Sequence, residues 1–73
     1  MTKSIGWELY RSFLAVLAEG SLSGAARALG LTQPTVGRHV SALEAALGQA
    51  LFTRSQTGLL ATEAALSLGA YAE

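Results

Sequence analysis

The sequence contains no cysteine, and its five acidic residues are all glutamates. The absence of cysteine excludes a disulfide framework and a thiolate zinc site. One histidine and five scattered glutamates provide neither a metal cluster nor a set of nucleophile, base and orienting group, so we expect no enzyme, no metal and no cofactor. The eight glycines stand singly and the one lysine lies near the start, which argues against a phosphate-cradling loop.

Long apolar runs are also missing from the sequence. No stretch approaches the roughly 18 residues of a membrane span, and no charged-then-apolar leader opens the chain. Charged residues make up only 14% of the 73 residues, whereas hydrophobic ones make up 51%, which is enough for one compact helical domain. We therefore expect a single soluble domain, and the lack of cysteine suits a cytoplasmic location.

Basic residues show no excess, because five lysines and arginines balance five glutamates. A nucleic-acid binder is normally basic, so the net charge alone does not identify one. The distribution of charge is more informative. Between residues 21 and 58 three arginines stand against one glutamate, a formal charge of three minus one, or plus two, with a titratable histidine among them: Arg27, Arg38, Arg54, Glu44 and His39.

Two helices are predicted in the first part of the chain. Residues 7–19 carry apolar side chains at helical spacing and end at Gly20, a natural residue beyond a helix C-terminus. A short alanine-rich run at 24–29 stops at Gly30, and Ser23 is well placed to cap it. The pattern therefore predicts one helix of about four turns and a second, short one.

The third helix should begin after Thr32, a good N-cap residue, with Pro34 in the first turn, where its missing N–H costs no hydrogen bond. Four apolar residues spaced by four, three and four positions fall on one face, and Gly48 ends the helix. They are Val36, Val40, Leu43 and Leu47. The link at 30–32 is so short that helices two and three must cross steeply, which is typical of a helix-turn-helix.

After the third helix the periodicity changes. Short apolar runs at 51–53 and 59–61 flank a polar segment at 54–58, a pattern that indicates a β-hairpin. Thr62 and Glu63 can then open a further helix. The predicted fold class is mainly α, with a three-helix core, a hairpin and the start of a fourth helix.

A series of residues within positions 7–66 follows one pattern of order and spacing: Gly20-Ser21-Leu22, Ala25-Ala26, Leu29, Thr32-Gln33-Pro34, Arg38, Leu43-Glu44, Leu47-Gly48, Leu51-Phe52, Arg54 and Ala61-Thr62. In these positions the sequence resembles the LysR-type transcriptional regulators. The resemblance implies a winged helix-turn-helix DNA-binding domain at 1–61. Its recognition helix, at 33–47, would enter the major groove of double-stranded DNA, and its wing, at 54–58, would touch the backbone or minor groove.

The resemblance also implies that residues 62–73 begin a linker or dimerisation helix, and Leu66 and Leu68 are the candidate dimer contacts. Members of the family form homodimers or tetramers that bind interrupted inverted repeats and activate or repress transcription. A small-molecule effector would bind only through a C-terminal domain, which these residues lack. We expect an excised DNA-binding domain, with a short natural protein as the alternative.

The outward face of the third helix supplies the main candidate DNA ligands. Packing the apolar face inward presents Pro34, Arg38, Ser41 and Ala45 to a major groove about 12 Å wide. Arg38 is the leading candidate, because an exposed guanidinium bonds phosphate or takes guanine bidentately. The amide of Gln33 can bond adenine or a phosphate, or simply be solvated.

Five further candidates carry a structural alternative beside the functional one. Thr32 can bond a phosphate while it caps the helix, and Thr35 can touch a thymine methyl or be merely exposed. Ser23 can bind phosphate at the start of helix two. Arg54 can reach the backbone or minor groove, or form a salt bridge instead. A lone histidine at the flank of a helix is more often structural, so His39 is the weakest candidate base contact.

The sequence departs from the family pattern at three positions. Gly37 stands where a serine is common, His39 where a glutamine is common, and Ala65 where a glycine is usual. The first two lie on the recognition helix and are expected to alter base preference. With so few basic residues, the affinity for DNA is expected to be low.

The alternative function is a protein-interaction module with weak or vestigial DNA binding. The apolar first helix and the alanine- and leucine-rich terminal helix would then mainly mediate self-association. The aromatic residues do not separate the two functions, because we interpret Trp7, Phe13 and Phe52 as core residues rather than stacking platforms.

Overall fold

Glycine sets the length of the first three helices. The computed structural model describes residues 6–56 and 58–72. Within them, Gly20, Gly30 and Gly48 end three helices in the left-handed conformation, with φ of 78°, 72° and 70°. The elements are α1 (Trp7–Glu19), α2 (Leu22–Leu29), α3 (Gln33–Leu47), β1 (Phe52–Ser55), β2 (Gly58–Ala61) and α4 (Glu63–Ala72). This confirms the mainly helical fold with a hairpin.

Side-chain caps begin α2 and α3. As predicted, Thr32 caps α3, where its Oγ1 accepts a hydrogen bond from the backbone N–H of Thr35 at 3.3 Å. The predicted cap of α2 was wrong: Ser21, not Ser23, accepts from the N–H of Gly24, at 3.0 Å. Ser21 has extended backbone angles and lies three residues before that N–H, as a cap requires. The helix therefore starts earlier than expected, and Ser23 lies in its first turn.

The core consists of two contiguous clusters of buried side chains. One joins the first three helices through Val16, Ala25, Ala26, Val36 and Val40. The other brings in the hairpin and α4 through Phe13, Leu43, Leu51 and Ala65. Half-buried Phe52 packs against both clusters, and its ring centroid lies 5.8 Å from that of Phe13. The core is therefore continuous from α2 to α4.

Two of the three aromatic residues expected in the core lie there. Phe13 is fully buried and Phe52 is half-buried, but Trp7 is 63% exposed. Trp7 is the first residue of α1 and precedes the turns of that helix that pack on α2 and α3. The helical spacing correctly predicted that Trp7 lies in α1, but the core does not extend to that end of the helix.

The hairpin strands reach further toward the tip than the apolar runs indicated. The antiparallel register pairs Phe52 with Ala61 and Arg54 with Leu59, and Ser55 pairs with Gly58. The predicted polar segment at 54–58 therefore contributes residues to both strands, and only two positions separate them. Arg54 lies in a strand and not in a turn, because backbone pairing tolerates polar side chains on an exposed hairpin face.

Glu44 joins α3 to the hairpin. Its Oε2 accepts the backbone N–H of Leu51 at 2.8 Å and that of Phe52 at 3.3 Å. Thr62, just after β2, connects the hairpin to α4. Its N–H donates to the carbonyl of Leu51 at 3.0 Å, and its Oγ1 accepts the N–H of Ala65 in α4 at 3.2 Å. These bonds place the hairpin and α4 relative to α3. No helix in the described part of the chain is long and apolar enough to cross a membrane.

We expect Glu44→Ala to lower the free energy of unfolding by about 1–3 kcal/mol, because two backbone donors lose a charged acceptor. Urea unfolding followed by circular dichroism measures the change. The matched control is Glu19→Ala, which removes an exposed carboxylate from the C-terminal end of α1, where a negative charge is unfavourable. The control should be at least as stable as the parent chain, and equal losses in the two variants would contradict the anchoring role.

Two helical glycines should respond differently to alanine. A Cβ at Gly37 would lie 3.8 Å from Leu22 Cδ1, an ordinary contact, whereas at buried Gly69 it would lie 2.7 Å from Leu17 Cδ2. Gly37→Ala should therefore stabilise the fold by about 0.5–1 kcal/mol through helix propensity. In Gly69→Ala the packing of α4 on α1 must shift, so that variant should gain less or lose stability. Thermal unfolding of both variants checks this, and a destabilised Gly37→Ala would contradict it.

Candidate nucleic-acid interface

The exposed side of α3 is the one that the sequence pattern predicted. Val36, Val40 and Leu43 are buried against the rest of the fold. The opposite side presents Pro34, Arg38, Ser41 and Ala45, all exposed. Arg38 is the one bulky and charged residue among these four. The other three side chains are small, so this side of the helix protrudes little and carries a single positive charge.

A short chain of hydrogen bonds runs along the first turns of α3. Oγ1 of Thr32 and Oγ1 of Thr35 lie 2.8 Å apart, and Nη2 of Arg38 donates to Oγ1 of Thr35 at 3.4 Å. The contact between Arg38 and Thr35 is long and uses one of the five N–H groups of the guanidinium. The other four can donate hydrogen bonds elsewhere. Thr35 is half-buried and its hydroxyl lies between its two partners. Its role as a support for Arg38 was not foreseen from the sequence.

Two surface grooves bring together candidates from three elements. The first, which we call the reading groove, is lined by α3 and the hairpin and includes Gly37, Arg38, His39, Arg54, Phe52 and Leu59. A smaller groove beside it is lined by Ser21, Ser23, Gln33, Arg54 and Leu59. Arg54 borders both grooves. The candidates from α2, α3 and the hairpin therefore share one continuous surface.

Several polar groups on this surface have no partner within the described residues. The side chains of Gln33 and Arg54 are exposed and make no hydrogen bond or ion pair to any residue that the structure describes, and the same holds for the side chain of Ser23 in the first turn of α2. The alternative of a salt bridge for Arg54 finds no support in the described part of the chain. Glu44, which also lines the reading groove, is occupied by backbone N–H groups of the hairpin. The unpaired groups are therefore mainly hydrogen-bond donors.

His39 is tied to α1. Its Nδ1 lies 2.7 Å from the Oγ of Ser12, and that serine is 1% exposed. The ring is half-buried, which matches the structural alternative weighed for it, although it also lines the reading groove. Ser12 was not singled out from the sequence. The available signal was its position beside Phe13 and one turn before Val16, on the side of α1 that faces the core.

The candidate dimer contacts on α4 differ from each other in burial. Leu66 is 59% exposed. Leu68 is half-buried and packs against the cluster that contains Phe13 and Leu51. Leu68 therefore belongs to the core of its own chain, whatever else it contacts. No group of three or more potential metal ligands occurs among residues 6–56 and 58–72.

Residues 7–66 match the model of the family described as bacterial regulatory helix-turn-helix proteins, lysR family. Over 57 residues the chain is 46% identical to the putative HTH-type transcriptional regulator protein PtxE of Stutzerimonas stutzeri, which covers 78% of this chain and 29% of that protein. It is 44% identical over 54 residues to the HTH-type transcriptional regulator ClcR of Pseudomonas putida, covering 74% of this chain and 18% of that protein. The chain thus spans less than a third of these relatives.

Solved structures agree in fold. A complex of the CbnR DNA-binding domain with DNA superposes with a TM-score of 0.87 at 34% identity and covers 92% of this chain and 77% of that one. A complex of the BenM DNA-binding domain with catB site 1 DNA gives a TM-score of 0.84 at 32% identity, covering 89% and 73%. Sequence, element order and geometry coincide, and the chain belongs to the LysR family of bacterial regulatory helix-turn-helix proteins.

Proposed function

We propose that this chain binds double-stranded DNA sequence-specifically, as the DNA-binding part of a transcription regulator. One observation carries the proposal: unpaired polar groups from α2, α3 and the hairpin meet on a single surface around the exposed side of α3. A helix with small outward residues fits the major groove. The similarity to domains solved as DNA complexes supports the same function.

The residues would divide into base contacts and phosphate contacts. Arg38 and Gln33 would hydrogen-bond base edges, with Pro34 and Thr35 beside them. The others would hold the register on the duplex. Ser23 offers its hydroxyl and its own backbone N–H, because the Ser21 cap uses the N–H of Gly24 instead. Thr32 lies at the start of α3, and Arg54 would reach the backbone or minor groove next to the hairpin. His39 is treated separately below.

Two copies of the chain would bind an interrupted inverted repeat, because each copy offers one recognition helix. Residues 62–73 would begin the linker or dimerisation helix, with 1–61 as the DNA-binding unit. Exposed Leu66 supports a contact between copies through α4.

An effector, if one acts, would bind outside these residues, and no catalytic step is proposed for them. We also infer a cytoplasmic location, where a bacterial transcription regulator would meet its DNA.

A protein-interaction module is the second candidate. It is supported by four large apolar side chains that the fold leaves exposed: Trp7, Leu31, Leu60 and Leu66. Single exposed apolar residues are normal on a soluble protein, and only a large contiguous patch indicates an interaction site. This observation is therefore weaker than the convergence of polar groups. The two functions differ in salt dependence, because phosphate neutralisation is salt-sensitive and apolar association is not.

Arg38→Ala should weaken binding to a duplex that the parent chain selects from an inverted-repeat pool by about 1–3 kcal/mol and relax preference at one base pair. Fluorescence anisotropy measures the affinity, and repeated selection with the variant measures the preference. Arg11→Ala is the matched control, because it removes one exposed positive charge from α1. An Arg38→Ala chain that binds and selects as the control does would contradict the assignment of Arg38.

Leu66→Ala should weaken self-association while the fold keeps its stability, because the side chain is mostly exposed. Sedimentation velocity over a concentration series checks this. Leu60→Ala is the matched control: it removes the same side chain at 55% exposure from the hairpin. Leu68→Ala should lower both association and stability, since Leu68 also packs in the core. Unchanged sedimentation of the Leu66 variant would count against α4 as the dimer contact.

A further inference from the structure

The contact between Ser12 and His39 has a consequence for recognition. We propose that Ser12 fixes the proton of the neutral His39 ring on Nε2, so that His39 offers DNA a hydrogen-bond donor and never an acceptor. Ser12 is then a positioning residue and His39 a specificity-determining one. The inference rests on the proposed DNA binding, and it deepens that proposal by naming the chemistry of one contact: an acceptor atom on DNA.

The proton assignment follows from the burial of Ser12. Its side chain is 1% exposed, and the Nδ1 of His39, at 2.7 Å, is the one partner of its Oγ among the residues that the structure describes. If Oγ–H donates to Nδ1, the hydroxyl proton is satisfied and the ring proton must lie on Nε2. If Nδ1–H donated instead, the hydroxyl proton would be buried without an acceptor, which is unfavourable. The first arrangement is therefore preferred.

The other ring nitrogen faces a different situation. No residue in the described part of the chain forms a hydrogen bond with Nε2, and His39 lines the reading groove together with Arg38 and Arg54. An Nε2–H at this place can pair with a phosphate oxygen or with the N7 or O6 of a purine, all of which are acceptors. It cannot accept from the amino group of cytosine or adenine. A protonated ring would keep the same Nε2–H, so protonation does not reverse the preference.

The proton position is measured first, on the free chain. His39 is the single histidine of the sequence, so ¹⁵N spectra of the imidazole need no separate assignment. At pH 8 we expect Nε2 to show the resonance of a protonated nitrogen and Nδ1 that of an unprotonated acceptor. Ser12→Ala should shift both toward the exchange average of a free ring. Ser67→Ala, an exposed serine of α4, is the control and should change neither.

The consequence for DNA is measured on the duplex selected by the parent chain. Ser12→Ala should weaken binding about threefold to tenfold, the worth of one hydrogen bond, but should have no effect in a His39→Ala background. A purely structural role of Ser12 would give the same change in both backgrounds. Duplexes with 7-deazapurines or with methylphosphonates distinguish a purine N7 from a phosphate as the acceptor, because each removes one of them.

The outcomes separate the inference from the function on which it rests. A parent chain that binds no duplex would overturn the DNA-binding proposal and this inference with it. A parent chain that binds, with Ser12→Ala equally effective or with the ring proton on Nδ1, would overturn the inference alone. Coupling between the two substitutions together with the Nε2 proton supports it. Circular dichroism of each variant verifies that the helices are intact.

Discussion

The proposed DNA-binding surface depends on the burial of one side of α3 beneath α1 and α2. That packing is possible because α2 presents Ala25 and Ala26, which are buried and small enough to let the helices approach closely. Only residues 30–32 separate α2 from α3, so the angle at which the two helices cross is set by the contact between them. Because the inner side of α3 is buried in the core, only its outer side is exposed, and that side carries Arg38.

The hairpin is placed by hydrogen bonds as well as by packing. Glu44 extends from the C-terminal half of α3 to two backbone N–H groups at the start of the hairpin, and Phe52 packs against both core clusters. Arg54 follows two residues later, in β1. The separation between its backbone and that of Arg38 in α3 is therefore set by the fold. Such a surface would require a particular groove geometry in a DNA partner.

Much of this arrangement could be predicted from the sequence, because helix boundaries depend on local chemistry. Gly20, Gly30 and Gly48 ended their helices as expected, and Thr32 capped α3. Prediction failed where the outcome depends on neighbours in space. Of two nearby serines, Ser21 became the cap because its backbone is extended there.

The missed features are mainly contacts between distant segments. The bond from Ser12 to His39 spans 27 positions and that from Glu44 to Leu51 spans seven, and neither pairing leaves a periodic signal in the sequence. The exposure of Trp7 has the same origin, because the core stops short of the first residue of α1. Residue types predicted which side chains could bind DNA, but only the fold showed that Ser23, Gln33 and Arg54 lie around one groove.

The most direct test of the account is fluorescence anisotropy of the chain with inverted-repeat duplexes and with random duplex across a salt series. The account predicts saturable binding that prefers particular duplexes, with an affinity that falls linearly in logarithmic plots as salt rises, because phosphates are neutralised. A folded and dimeric chain that binds no duplex at low salt would contradict it and would leave the protein-interaction module as the function of the chain.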